Sequence, residues 1–317
     1  MEHKPDKLLN LLIGKSPIYI QTHDFPDPDA IAAAFGLQFY LEKSNISSTI
    51  IYEGELQTNP VERMVDDLGI AMRRIDDIDL KKDDSVIIVD GCSGNENVTI
   101  RNGTIVAVID HHEGAHPDDV PFVDIRSDYG STSTIVTLYM RERKIAVIPR
   151  VATALAAGIH VDTGSFKRRI HQKDIESFSL LFTTIDHTLL NSILKNTLFQ
   201  KELIVYEKAL KGITVDQKFA FYYYPEDCPR NLLGMLSDFI LSVEEIELVV
   251  LCSRSGKKVI FSVHSENPAW NAASIIKKAL RGLGSGGGHK EMAGGAIQDI
   301  ALFKEDQVYE RFKEQLA

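Results

Sequence analysis

The stretch Thr104-Ile105-Val106-Ala107-Val108-Ile109-Asp110-His111-His112 decides how the rest of the chain is read. A short run this apolar and β-branched fits a strand buried on both faces of a parallel sheet. Asp-His-His then falls where the strand meets its loop. Open α/β sheets bind ligands outside the carboxyl ends of their strands. One such tripeptide is a weak signal. Its weight comes from three other stretches that put acids and imidazoles at comparable positions.

Upstream, Ser16 to Gln21 predicts a first strand that runs into Thr22-His23-Asp24-Phe25-Pro26-Asp27-Pro28-Asp29. A helix-forming run, Ala30 to Glu42, follows. The prolines keep the loop extended, and Asp29 stands where an N-cap belongs. His23, Asp27 and Asp29 therefore crowd one strand-to-helix turn. In this loop alone, an acidic cap beside a stray histidine would look the same.

Ser48 to Tyr52 predicts a second strand, Pro60 to Leu68 a helix and Ala71 to Ile75 a short strand. The acids Asp76, Asp77, Asp79, Asp83 and Asp84 fall in solvated turns and receive no role. Ser85 to Val89 reads as a buried strand ending at Asp90-Gly91-Cys92-Ser93, the next ligand-bearing strand end. Beyond Asp-His-His, Val120 to Val123 reads as an edge strand, where Pro121 is tolerable. Gly130-Ser131-Thr132-Ser133 opens a helix through Arg141. Its hydroxyls read first as helix caps and second as phosphate donors. Arg150 to Ala157 is helical, and Asp162 beyond it is the fourth site; His160 faces elsewhere.

From Asp174 to Lys211 the pattern is helical, without a Pro- or Gly-rich linker. Lys218 to Tyr224 reads as a strand whose tyrosines alternate between faces. Leu232 to Leu241 is a helix, Glu247 to Ser253 and Lys258 to His264 form a hairpin through Ser255-Gly256, and Ala272 to Leu280 is a helix. Gly282-Leu283-Gly284-Ser285-Gly286-Gly287-Gly288-His289 follows. No Lys-Ser/Thr stands where a Walker A loop needs it. Glycines let backbone N–H groups approach an anion closely, though a tight turn would use them too.

The expected fold is α/β. An N-terminal parallel-sheet domain with helices on both faces spans 1–187, a helical linker 188–211, and a smaller mixed-sheet α/β domain 212–317. The active site is expected in the cleft between the domains.

With 317 residues and 44% hydrophobic content, two domains and a sizeable core are within reach. A net charge of -10 argues against wrapping duplex DNA. A small anionic substrate stays compatible, because metal ions held by carboxylates invert the local charge. No apolar run suits a membrane span, and no signal peptide is read at the start. Three dispersed cysteines point to a reducing, cytoplasmic setting.

The strand-end groups are His23, Asp27, Asp29, Asp90, His111 and Asp162. Four gathered carboxylates repel one another, and two divalent cations resolve the conflict. Mixed carboxylate and imidazole ligands suit Mn²⁺ first, with Mg²⁺ or Co²⁺ open. Such a pair, about 3.5–4 Å apart, activates water and neutralises phosphoryl charge. Asp90 and Asp162 are the candidates for shared ligands, and His112 remains as a donor to the phosphate. The amides of Gly286, Gly287 and Gly288, with His289, could clamp the far end of the substrate. Arg254, through its planar fork, and His264 are weaker candidates.

These residues resemble the DHH phosphoesterase superfamily. Its four N-terminal motifs stand here as His23-Asp-Phe-Pro-Asp27-Pro-Asp29, Asp90, Asp110-His111-His112 and Asp162-Thr-Gly. Gly286-Gly-Gly-His289 looks like the loop of the DHH-associated C-terminal domain. The likeness runs over nearly the whole chain, with five motifs in order. It looks most like the compact subfamily of nanoRNases that also dephosphorylate nucleotide 3′,5′-bisphosphates.

The resemblance implies a two-manganese site. It implies substrates such as short single-stranded oligonucleotides, linear dinucleotides or phosphoadenosine phosphate, with no membrane partner and a homodimer as one compatible assembly. It makes His111 the metal-binding imidazole and His112 the phosphate-facing one, which spacing alone does not decide. Relatives usually carry an Arg-Ser pair late in the C-terminal sheet. Here Val263-His264-Ser265 and Arg254-Ser255 compete for that place. The main alternative is an exopolyphosphatase or pyrophosphatase on the same metal centre; a non-catalytic nucleotide binder is a third.

Overall fold

Buried apolar strands set the first unit. A computed structural model describes residues 4–316 apart from 57–58, 93–96, 114–116 and 196–197; Ser93, quoted above, lies outside the described residues. Two compact units divide the chain, residues 1–197 and 198–317. Among the described residues, no helix is long and apolar enough to cross a membrane.

The first unit runs α1 (Lys4–Leu12), β1 (Ile18–Gln21), α2 (Pro28–Glu42), β2 (Thr49–Tyr52), α3 (Asn59–Asp67), β3 (Met72–Arg74), β4 (Ser85–Val89), β5 (Thr104–Asp110), β6 (Phe122–Ile125), α4 (Thr132–Glu142), α5 (Pro149–Asp162), α6 (Gln172–Leu181) and α7 (His187–Lys195). Its six strands are parallel, in the order β3-β2-β1-β4-β5-β6. The chain works outward from β1 in one direction and from β4 in the other. The crevice between those two strands is the switch point where such sheets receive ligands.

Alternation along β4 divides the core. Ile87 and Val89 join the larger cluster with residues of α1 to α5 and α7, while Val86 and Ile88 join a smaller one on the opposite face. Nearly every residue of α2 from Pro28 to Leu41 is buried, which marks a helix enclosed on all sides. Gly36 makes this possible, since a Cβ there would stand 2.8 Å from Leu155 of α5.

Both faces are covered as expected, but the cover differs. On the smaller cluster it comes from a 3₁₀ turn, Ile75–Asp77, and from Leu80, Cys92 and Val98 in connecting segments instead of α-helices. The links from β3 to β4 and from β4 to β5 are too short for long helices.

The predicted helix from Asp174 to Lys211 is broken into α6, α7, a 3₁₀ turn at Gln200–Glu202 and α8 (Leu203–Gly212). Val205 and Ala209 of α8 pack in the second unit. That unit continues with β7 (Thr214–Asp216), β8 (Phe219–Asp227), α9 (Arg230–Leu241), β9 (Leu248–Ser255), β10 (Lys258–Ser265), α10 (Ala272–Ala279), β11 (Ser285–Gly288), β12 (Met292–Ile297) and α11 (Glu305–Lys313). Its sheet is mixed, in the order β11-β12-β10-β9-β8-β7, with only β8 and β9 parallel among neighbours. Tyr223 packs toward one apolar cluster, and Tyr222 and Tyr224 toward the other, the alternation expected of a strand.

Candidate metal centre

His23 follows β1 and Asp90 follows β4, so the two flank the switch point. Asp110 ends β5, with His111 and His112 immediately beyond. Asp162 is the last residue of α5, not a loop residue as the sequence suggested. A carboxylate at a helix C-terminus opposes the helix dipole, and a cation beside it removes the conflict. Asp90 has φ +58°, a left-handed conformation that Asp tolerates better than most residues.

The six predicted ligands converge. Three overlapping groups have candidate ligand atoms within 4.8 Å of one another: His23, Asp27 and Asp90; Asp29, His111 and Asp162; and Asp90, His111 and His112. The two oxygens of Asp90 face different ways. Oδ2 lies 3.7 Å from Nε2 of His23, and Oδ1 lies 3.5 Å from Nε2 of His111. Nε2 of His111 is also 3.0 Å from Oδ2 of Asp162.

The imidazoles are prepared for ligation through Nε2. Nδ1–H of His23 donates to the Asp24 carbonyl at 2.9 Å, and Nδ1–H of His111 donates to the Tyr129 carbonyl at 3.2 Å. Such bonds fix the ring and its tautomer, as outer partners of metal-binding histidines do. Oδ2 of Asp90 and Nε2 of His111 are buried without a hydrogen-bond partner. Buried polar atoms without partners are costly, and a divalent cation beside each would satisfy them. The residues therefore fit a metal pair.

Electrostatics give the same answer. Burial drives Asp90 well above the usual carboxylate range, and the charges of Asp29 and Asp27 add to the shift. Burial and the Asp162 charge raise Asp29 to about 7. For His23, burial acts downward but is outweighed by Asp27 and Asp90, leaving it at about 10. His111 likewise reaches about 9, with Asp162 outweighing burial. Asp29 and Asp90 are thus held toward their protonated forms by burial and neighbouring acids, whereas for Asp27 the His23 hydrogen bond and charge outweigh burial and hold it below the usual carboxylate range.

The adjacent histidines differ. The side chain of His111 is fully enclosed, whereas that of His112 is 32% exposed. Oδ1 of Asp110 accepts from Nδ1 of His112 at 2.8 Å and from the amides of both histidines. Burial would lower the pKa of His112, but the Asp110 hydrogen bond and charge raise it overall.

Two carboxylates also organise helices. The N-cap of α2 is Asp27, not Asp29: its Oδ1 accepts from the amides of Asp29 and Ala30. Oδ2 is left facing His23. Asp29 instead receives the start of α4, from the amides of Thr132 at 2.7 Å and Ser133 at 3.0 Å. The hydroxyl of Thr132 donates to Oδ1 of Asp90 at 2.8 Å. The start of α4, read first as a capped helix end, thus directs its donors to two candidate ligands. Nothing in its run of hydroxyls singled out Thr132. Gly158 gives this arrangement room, since a Cβ there would stand 2.4 Å from Ser133 Oγ and 2.7 Å from Asp29 Oδ1.

In the second unit, Gly286 to Gly288 form a strand instead of a loop: β11, at the edge of the sheet. The His289 amide donates to the Met292 carbonyl at 2.6 Å, closing the hairpin. Gly288, at φ +138°, has no room for a Cβ, which would meet that same carbonyl oxygen at 2.6 Å. Gly287 pairs with Gly294, and a Cβ at either would meet no atom closer than 3.6 Å, so the backbone there is bare. His264 pairs with Met292 across the sheet, next to the hairpin turn. It is buried, and its Nδ1 lies 2.6 Å from Asp238. Arg254 pairs with Val259 at the other end of the β9–β10 hairpin and bonds the Gly256 carbonyl. The register sets His264, one strand beyond β12, level with the turn that follows the glycine strand, and Arg254 at the opposite end of the sheet.

Residues 17–159 match the DHH family N-terminal domain, and residues 216–317 match the DHHA1 domain. The first unit thus matches the N-terminal domain of the DHH family, and the second matches the DHHA1 domain. The uncharacterised protein MJ1633 of Methanocaldococcus jannaschii is 31% identical over 92% of this chain and 59% of its own length. The cyclic-di-AMP phosphodiesterase GdpP of Bacillus subtilis is 24% identical over 96% of this chain and 48% of its own. A manganese-dependent inorganic pyrophosphatase of M. jannaschii is 27% identical over 47% of this chain and 49% of its own. The chain spans less than two thirds of each of these relatives. An exopolyphosphatase-related protein from Bacteroides fragilis shares the fold, with a TM-score of 0.80 at 18% identity, covering 98% of this chain and 96% of that one.

Proposed function

We propose that the protein is a metal-dependent phosphoester hydrolase that cleaves short oligonucleotides or linear dinucleotides to mononucleotides, with nucleotide 3′,5′-bisphosphates as a second substrate class. The observation that carries the reading is the sharing of Asp90 and His111 among three ligand groups, with Oδ2 of Asp90 buried and unsatisfied by any hydrogen bond and Nε2 of His111 pressed against the Asp162 carboxylate. His23, Asp27 and Oδ2 of Asp90 would hold one cation. Asp29, His111, Asp162 and Oδ1 of Asp90 would hold the other. Mixed hard-oxygen and imidazole donors favour Mn²⁺, as does likeness to a relative named manganese-dependent. When bound, such a pair supplies a nucleophile at neutral pH and neutralises phosphoryl charge.

The chain's own residues do the rest. Asp110 holds His112 by Nδ1 and keeps its proton to higher pH, which suits donation to a phosphoryl oxygen. The bare backbone around Gly287 and the Asp238-held His264 are assigned to recognition of the substrate's far end.

In sequence, likeness to GdpP extends over both domains and likeness to the pyrophosphatase over about half of the chain, although the fold of a putative family II pyrophosphatase matches 94% of it at a TM-score of 0.51. This favours a nucleotide phosphodiester over pyrophosphate. The pyrophosphatase relative keeps inorganic polyphosphate and pyrophosphate as the second reading. The test is a Mn²⁺ titration against pApA, phosphoadenosine phosphate, polyphosphate and pyrophosphate. Preferred turnover of pApA supports the first reading. Preferred turnover of pyrophosphate or polyphosphate replaces it with the second.

A further inference from the structure

We infer that Thr132 is a positioning residue: its hydroxyl fixes the rotation of the Asp90 carboxylate, so that one oxygen serves each of two cation pockets. The inference rests on the two-cation reading above and goes beyond it to a residue that touches no ion.

Asp90 turns off the end of β4 in a left-handed conformation, and its carboxylate has no Arg or Lys partner among the described contacts. Its rotation is therefore not set by a cationic fork, as that of Asp124 is by Arg126. The carboxylate accepts a hydrogen bond from the Thr132 hydroxyl, at 2.8 Å to Oδ1. That bond keeps Oδ1 toward His111 and Oδ2 toward His23. Thr132 is itself immobile. It is fully buried, and its amide is anchored on Oδ2 of Asp29 at 2.7 Å. One residue thereby ties a ligand of one pocket to the carboxylate shared by both. Any side chain at 158 would press on the neighbouring Ser133 hydroxyl and Asp29, so the anchor has little freedom to shift.

Outer partners of metal ligands of this kind are worth about 10- to 100-fold in metal affinity. The test compares Thr132→Val, which keeps the shape and removes the donor, with Thr132→Ser, which keeps the donor. Mn²⁺ binding to metal-stripped protein is titrated by the electron paramagnetic resonance of free Mn²⁺, and melting is recorded with and without Mn²⁺. Thr132→Val is expected to bind Mn²⁺ about 10- to 100-fold more weakly and to lose most of the Mn²⁺-induced rise in melting temperature. Thr132→Ser is expected to recover both. A merely structural role would lower melting equally with and without Mn²⁺. Wild-type affinity in Thr132→Val, or equal loss in Thr132→Ser, overturns the inference. Failure of the wild type to bind Mn²⁺ overturns the two-cation reading itself. Should Thr132→Val not fold, Thr132→Ala against Thr132→Ser gives the same comparison.

Discussion

Two enclosed carboxylates lie near the carboxyl ends of strands of the same sheet, and the chain treats them in opposite ways. Asp124, on β6, accepts both arms of the Arg126 fork at 3.0 and 2.8 Å, the Tyr139 hydroxyl at 2.6 Å and the Lys4 ammonium at 2.5 Å. Burial opposes its ionisation, yet these partners hold its pKa below the ordinary carboxylate value. Asp90 is equally buried but has one hydroxyl, neighbouring acids, imidazoles at 3.5 to 3.8 Å and an oxygen with no hydrogen bond. The first carboxylate is neutralised by the fold. The second is charged beyond what the fold supplies, and such a deficit marks a place for something from outside.

The largest effect that could break this contrast is on turnover. Asp90→Ala should reduce hydrolysis of pApA in Mn²⁺ by more than about a hundredfold, beyond the range typical of outer ligands. Asp124→Ala should leave activity per folded molecule near that of the wild type. Steady-state rates on both variants decide it, and normal turnover by Asp90→Ala ends the metal reading. Next comes stability. Asp124→Ala leaves the partly buried Arg126 without its carboxylate and should lower unfolding free energy by less than the ~3–5 kcal/mol of a fully buried pair, measured by urea denaturation. Asp90→Asn relieves repulsion and should raise the melting temperature of the metal-free protein.

On stability, metal removal has a smaller effect. Chelation should abolish activity reversibly, and Mn²⁺ at a hundred times its dissociation constant should stabilise the fold by about 2.7 kcal/mol, read by calorimetry. The smallest effect is with pH. Because the folded pKa of Asp124 is depressed, its contribution is whole above the unfolded value of about 3.9. It is lost as pH falls through the folded value. The stability gap between wild type and Asp124→Asn should therefore narrow in acid; a gap that widens would mean the shift has the opposite sign.

The same contrast explains what the sequence could disclose. Ligands at strand ends are legible because strand, turn and helix signals locate them independently, and all six converge. Asp124 was not singled out, since Lys4 is 120 residues away and nothing local announces the pairing. Thr132 was hidden among hydroxyls that all suit a helix start. Gly286 to Gly288 carry no strand signal in the sequence because they have no side chains to alternate; pairing with β12 makes them the edge strand β11. Asp29 was given a cap that belongs to Asp27, for either acid precedes enough helix to serve. Asp84 was placed in solvent, but it is buried and accepts from the Lys81 amide.

The double duty of Asp27 has a practical corollary. One oxygen fastens the first turn of α2 while the other is left over, so emptying the pocket does not unwind the helix. Dialysis should therefore suffice to exchange one ion for another, and spectroscopically visible Co²⁺ can be loaded into the same scaffold without refolding it.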